Sequence, residues 1–361
     1  MLNDISSTAE HRQSATIHLL QHGMLDERMP SLVSFTQQDS AVALTRHPKW
    51  LEVFRNGMKH QCYAIEARNK DQTAGYLPLV LLKSMLFGNR LVSLPYVNTA
   101  GVIARSAEIE QSLVCEAVAL ADQLQVKSLE LRHEKRIEHS ALTEPTTQKI
   151  HMRLILPSTS EALWKSFDPK VRNQVRKGEK SNLTVSWGAE DQLPAFYDIF
   201  ARNMRDLGTP VFGQNFFESI MGTFPKDTEI AVVRLGQKPI AAGLLLHGKG
   251  ITEVPSASSL REHNSTCANM LLYWHLLQRA IERGQTVFDF GRSSPDSPTH
   301  QFKKQWGAQP HPAVWQYYLR QGSSSDMRPD NPKFRLMIRT WKKLPVWLSR
   351  WIGPSIARVI P

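Results

Sequence analysis

Arg172, Arg176 and Lys180 fall at i, i+4 and i+8, so a helix through them presents three cations on one face. Such a row repels itself unless an anion lies along it; a pyrophosphate, a nucleotide sugar or a tRNA backbone would each suit. A solvated amphipathic face has the same spacing. Asp289 and Arg292 stand at the end of an apolar run, TVFDFG, where the loops of α/β proteins gather ligands. There Asp289 would orient or deprotonate an amine and Arg292 would pair with an anion, or the two would form a structural ion pair. Arg205 and Asp206 end a helix ahead of Gly208-Thr209-Pro210, where helix-end capping competes with ligand binding. Ser258 and Ser259 offer hydroxyls, although loop serines usually bond their own backbone.

Several chemistries have no counterpart. The chain has no Walker loop, no G-x-S-x-G elbow and no H-E-x-x-H. Its 13 histidines lack ligand spacing and its three cysteines form no metal-type pair, so no metal site is expected. Forty-four Lys and Arg against 33 Asp and Glu give a net charge of +11, which points to anionic partners. With 41% hydrophobic and 21% charged residues, the 361-residue chain can bury a core without staples. No run of roughly 18 apolar residues is present, so no membrane-spanning helix is expected. The N-terminal stretch lacks the apolar centre of a signal peptide, so a cytoplasmic location is expected.

The elements that must position these residues read as an alternation of helices and strands, a mixed α/β (α+β) class. A helix at 48–57 precedes strands at 61–67, 75–82 and 90–97, a helix over 107–124 and a strand at 129–133. The second half repeats the order. Helices start at Asp168-Pro169 and span 193–207, strands follow at 229–235 and 240–248, then TEVPSASS, a helix at 267–283 and TVFDFG. NKDQTA and GQKP read as hairpin turns. The halves register at roughly 160 residues, with Pro95 answering Pro255, Glu130 answering Asp289 and Gly75 answering Gly243, which suggests duplication. The expected units are 25–157, 158–325 and a basic tail over 326–361, with a linker near 134–160 that is least structured at Thr143 to Gln148.

Five strings stand in order along the second half: KVRNQVRK (170–177), NMRDLGTP (203–210), SSLR (258–261), DFGRS (289–293) and FKKQWG (302–307). Together they resemble the FemAB family of peptidoglycan interpeptide-bridge aminoacyltransferases, and most closely the branch associated with PEP-CTERM/exosortase exopolysaccharide systems. The resemblance implies two GNAT-type acyltransferase domains in tandem, with mixed and largely antiparallel sheets. It also implies transfer of an acyl or aminoacyl group to an amine. The donor would be an aminoacyl-tRNA or an acyl-CoA, with no resident cofactor. The acceptor would be an anionic, nucleotide- or lipid-linked sugar precursor.

Acyl transfer needs a neutral amine, a stabilised oxyanion and two substrates held in attack geometry. The resemblance puts Lys303, of the Phe302-Lys303 pair, at the active site, where an ammonium stabilises developing negative charge. Asp289 is the other expected catalytic residue. Arg172, Arg176, Lys180, Arg205, Asp206, Ser258, Ser259, Arg292 and Trp306 are expected to bind substrate. The turn after Leu260 contains no glycine, unlike the coenzyme A pyrophosphate loop of GNAT acetyltransferases, which weighs against acetyl-CoA as donor. Two other readings remain open here: an acyl-CoA-dependent enzyme acting on an amino sugar, and a non-catalytic module that grips RNA or another anion. The tail, rich in Trp, Lys and Arg, suits either packing on the second unit or peripheral docking on the cytoplasmic membrane face, although Pro345 and Pro354 are expected to break it.

Overall fold

In each half a polar turn between two apolar runs closes an antiparallel hairpin, and a sheet is built around it. The computed structural model describes residues 15–39, 41–84, 88–144, 149–320 and 332–360. The first half contains β1 (Thr16–Gln21), α1 (His22–Thr36), a 3-10 turn at Leu44–Arg46, α2 (Trp50–Met58), β2 (Gln61–Asn69) and β3 (Gln72–Leu82). These are followed by β4 (Arg90–Val92), β5 (Ile103–Ala104), α3 (Ala107–Gln123) and β6 (Ser128–His133). The expected strand over 90–97 is short because Leu94 and Tyr96 take φ of 52° and 66°, which turns the chain out of the sheet after Val92.

The second half begins with β7 (Ile150–Ile155), α4 (Ser160–Ser166), α5 (Pro169–Glu179), β8 (Leu183–Gly188), α6 (Leu193–Leu207) and α7 (Gln214–Thr223). Then come β9 (Thr228–Leu235), β10 (Lys238–His247), β11 (Ile251–Ser259), a 3-10 turn at Arg261–Thr266, α8 (Ala268–Glu282) and β12 (Val287–Ser293). Helix α9 (Pro298–Gln305), β13 (Gln309–Pro312), β14 (Val314–Leu319), α10 (Pro332–Trp341) and α11 (Val346–Ala357) complete the chain.

The strand orders are β1-β2-β3-β4-β6-β14, with β5 beside β3, and β13-β7-β12-β11-β10-β9-β8. Both sheets are mixed and largely antiparallel, each holding one parallel pair: β4 with β6, and β11 with β12. The fold is thus the expected α/β tandem. Its boundaries differ from those expected. β7, inside the presumed linker, pairs with β12 of the second sheet, whereas β14 returns to pair with β6 of the first. Backbone donors along β6 and β12 need partners, and strands exchanged between the halves supply them. Thus 150–155 belongs with the second sheet and 314–319 with the first. Of the stretch expected to be least structured, 145–148 lies outside the described residues.

The duplication has a packing signature. A Cβ on Gly75 would lie 2.6 Å from Ile109 and 2.9 Å from Leu113 of α3, and one on Gly243 would lie 3.0 Å from Leu276 of α8. Each glycine therefore lets the crossover helix approach the second strand of its hairpin. One core lies between the inner faces of the two sheets and contains Trp50, Phe54, Phe196, Phe200, Phe216 and Phe217. Separate cores pack α3 on the first sheet and α4, α5 and α8 on the second.

Candidate active site

The parallel pairs end at equivalent places: Val92↔Glu130 in the first sheet and Glu253↔Asp289 in the second. Beyond them the strands part. In the second sheet this gap is bordered by α9. Ser297 caps it, its Oγ accepting from His300 N at 3.2 Å, and Pro298 supplies a preset φ at the first helical position. The ring of Phe302 packs edge-on to Tyr273 in the core, which fixes the helix rotation and carries Lys303 to the gap.

Lys303 is only 8% exposed. Its ammonium donates to the carbonyls of Gly291 at 3.0 Å and Arg292 at 2.9 Å. An ammonium has three N–H donors, so one remains for a ligand. Burial is the main force pushing its pKa down to about 8; the Asp289 carboxylate works against this shift and Arg292 adds to it.

The carbonyls face Lys303 because β12 is irregular between Asp289 and Arg292, where Gly291 takes φ of 75°. Asp289 holds that bend. Its Oδ1 accepts from Gly291 N at 2.7 Å and its Oδ2 from Arg153 Nε at 2.8 Å, while Arg153 also binds Glu134. At 2% exposure, with one oxygen on Gly291 N and the other on Arg153, Asp289 is tied into the bend that faces Lys303. His151 lies 4.0 Å from Asp289, and burial pushes its pKa down to about 4.

Glu253 is the group on the opposite strand. It is buried, and its two oxygens accept from Thr45 N at 3.0 Å and Thr45 Oγ1 at 2.8 Å. Burial pushes its pKa up to about 7, with Asp289 acting in the same direction and Thr45 against it. Glu253 lines a small enclosed cavity of about 60 Å3. Lys303 and Arg292 line a neighbouring cleft of about 380 Å3, and the two cavities share Asn98 and Pro255. Arg292 stacks on Trp315, its guanidinium 4.0 Å from the ring centroid, and donates to Asn98 at 3.2 Å. Burial first, then repulsion from Arg132, presses against its charge.

A third cleft, of about 460 Å3, lies on the other side of α9, between Phe302 and Gln305 and the start of α8, where Lys170, Gln174, Ser259 and Arg261 also line it. Arg172, Arg176 and Lys180 are not among its lining residues. The apolar stripe Val171, Val175 and Gly178 is buried, and a Cβ on Gly178 would sit 2.9 Å from Leu271 of α8; that contact sets the rotation of α5 so that Lys170 and Gln174 border the cleft. Arg176 instead lies over Trp164 at 5.5 Å. Cys267, in the left-handed region at φ 57°, occupies the turn ahead of α8 where a glycine was missed in the sequence.

Other expected residues take structural places. Arg205 pairs with Asp206 at 2.7 Å and donates to Leu344 O at 2.8 Å, tying α6 to the chain ahead of α11. The Ser258 hydroxyl accepts from Asn203 at 3.0 Å. Trp306 is fully buried among Phe167, Tyr273 and Phe302, which makes it a core residue. Glu253, Thr45 and Arg153 were not anticipated. The carboxylate of TEVPSAS, two residues ahead of the Pro255 that answers Pro95, is the one signal that would have found Glu253; nothing in the sequence marks Thr45 or Arg153. Among the described residues, no group of His, Cys, Asp and Glu could hold a metal.

Residues 165–304 match the family model of the acetyltransferase (GNAT) domain. The fold is similar to that of FemX (TM-score 0.61, 15% identity, covering 89% of this chain and 100% of FemX). It is also similar to the C-terminal domain of a lysylphosphatidylglycerol synthetase from Agrobacterium fabrum (0.56, 10%, covering 86% and 97%). A tandem GNAT protein from the clavulanic acid biosynthesis pathway matches at 0.54 and 10% identity, covering 86% and 100%. No curated protein sequence matches the chain. The chain thus carries a tandem GNAT-type fold, and the match to the acetyltransferase (GNAT) domain lies in its second half.

Proposed function

We propose that the protein is an N-acyltransferase that moves an aminoacyl or acyl group onto an amine of a cell-envelope or exopolysaccharide precursor. The observation that carries this reading is Lys303, a buried ammonium with two N–H bonds fixed on carbonyls and a third free at an open strand gap. The amine nitrogen attacks the donor carbonyl carbon, and the third N–H of Lys303 bonds the developing oxyanion. Glu253 takes the proton that the amine sheds. The tetrahedral centre then collapses, the bond to the leaving oxygen or sulfur breaks, and that atom takes the proton that Glu253 received. Asp289 and Arg153 hold the bend that aims Lys303, and Arg292 supplies positive charge for an anionic acceptor.

Two donors fit. An aminoacyl-tRNA agrees with the FemAB-like motifs. An acyl-CoA is favoured by the cleft at the start of α8, where a helix N-terminus, Lys170 and Arg261 would meet a pyrophosphate. Label transfer from charged tRNA and from acyl-CoA to amino-sugar and peptide acceptors tests the reading. Transfer from one donor, lost in Lys303→Ala, is the expected result. No transfer from either donor, with binding of RNA alone, would leave an anion-binding module instead.

A further inference from the structure

Helix α11 is built inside out. Its buried face consists of Ser349, Gly353 and Ala357, and a Cβ on Gly353 would sit 2.8 Å from the Val211 side chain, so small residues let the helix lie close on the body. Trp347 and Trp351 are its large apolar residues turned outward, 69% and 75% exposed. Spaced i, i+4, they form one ridge. The helix runs unbroken through Pro354, contrary to the expected break, so the ridge is continuous with its flanks. Two large indoles in water, over a stripe of small residues facing inward, reverse the usual burial of a surface helix and mark an interaction surface.

Charge says what the surface meets. Residues 332–360 contain seven Lys and Arg and no Asp or Glu. Beside the ridge, on the face that carries Arg350 and Arg358, lies a pocket of about 810 Å3 also lined by Lys59, Lys83 and the start of α7 at Gly213 to Asn215. None of its lining residues is an acid. Arg350 pairs with Asp198 at 3.0 Å, but no carboxylate pairs with Lys59, Lys83 or Arg358 among the described residues. Indoles favour the bilayer interface, and lysines and arginines favour anionic headgroups. RNA would use the cations, but paired RNA offers no stacking site to indoles on a helical ridge.

We propose that α11 docks the protein on an anionic phospholipid bilayer, with Trp347 and Trp351 at headgroup depth and the adjoining cationic pocket taking a lipid phosphate. This inference does not depend on the reaction proposed above. Flotation of the full chain with vesicles of phosphatidylcholine, with or without phosphatidylglycerol, tests it. The expected result is binding to the phosphatidylglycerol vesicles, with a blue shift of tryptophan emission and quenching by brominated lipid. Trp347→Ser/Trp351→Ser should weaken binding by about tenfold or more at an unchanged melting temperature, because both indoles are exposed. Lys59→Glu/Lys83→Glu should remove the preference for phosphatidylglycerol. Transfer to a water-soluble acceptor should persist in both variants, which separates failure of docking from failure of the enzyme reading. Equal flotation of the tryptophan variant, binding to tRNA but not to vesicles, or a dimer dispersed by the same substitutions would each overturn the proposal.

Discussion

The two strand gaps lie at equivalent places in their sheets and differ in one respect: one is filled and the other is open. After Val92↔Glu130 the first gap is occupied by the loop SLPYV and by Arg132. That guanidinium is 0% exposed, pairs with Glu130 at 2.7 Å, donates to Val97 O at 2.9 Å and lies 4.2 Å from the Trp315 ring centroid. Ser93 Oγ accepts from Arg132 N, and Ser93 N donates to Glu130 O. After Glu253↔Asp289 the second gap stays open, and its buried cation, Lys303, retains a free donor. A buried cation clamped by a carboxylate and a stacked ring holds structure together; one that keeps a donor beside an open cleft can serve chemistry. Trp315 joins the two gaps, with Arg132 and Arg292 stacked on its ring.

The sharpest way to break this contrast is to remove each cation. Arg132→Met leaves Glu130 buried and unpaired, so urea denaturation should show a loss of about 3–5 kcal/mol, with turnover per folded molecule little changed. Lys303→Ala should do the reverse, cutting kcat by a factor on the order of 100–1000 with a much smaller change in stability. A large stability loss in Lys303→Ala at unchanged kcat would make the two gaps alike. The paired glycines offer a milder comparison. Gly75→Ala drives a methyl to 2.6 Å of Ile109, whereas Gly243→Ala meets Leu276 at 3.0 Å. Thermal unfolding should show the larger loss at Gly75, about 1–3 kcal/mol.

The pH profile sharpens the open gap alone. Glu253 acts as a base only when ionised, and Lys303 donates to an oxyanion only when protonated. kcat/KM should therefore rise through about pH 7 and fall through about pH 8. Glu253→Gln should lower activity and abolish the acid limb. Asp289→Asn should give the smallest effect. The negative charge of Asp289 raises the pKa of Lys303, so its removal moves the alkaline limb to lower pH. An unmoved alkaline limb would mean that it does not report Lys303.

Much of this was legible in the chain. Periodicity and turn residues set α3, α6, α8 and both hairpins, because their apolar stripes and stop signals are local. The Pro95/Pro255 and Glu130/Asp289 matches marked the duplicated gaps, and the Phe302-Lys303 resemblance picked out the lysine that lines the open one. Strand exchange was not legible. β7 and β14 pair with distant strands, and a short run such as IHMRLI shows no preference for either sheet. The orientation of α5 was not legible, because the cation spacing marks a face without saying what that face meets; the Gly178 contact with α8 decides it.

What the sequence by itself determined is therefore the inventory: an α/β tandem, a basic chain, two equivalent gaps, and an acid and a lysine at the second. Only the tertiary structure decided which groups still have bonding capacity. Asp289 and Glu253 each have both oxygens bonded, Arg132 is tied to Glu130 and Val97, and Lys303 keeps a third donor beside a cleft that neighbours the Glu253 cavity. Residue type and spacing fix which donors and acceptors exist. Their mutual satisfaction depends on contacts between segments far apart in the chain, as with Thr45 on Glu253.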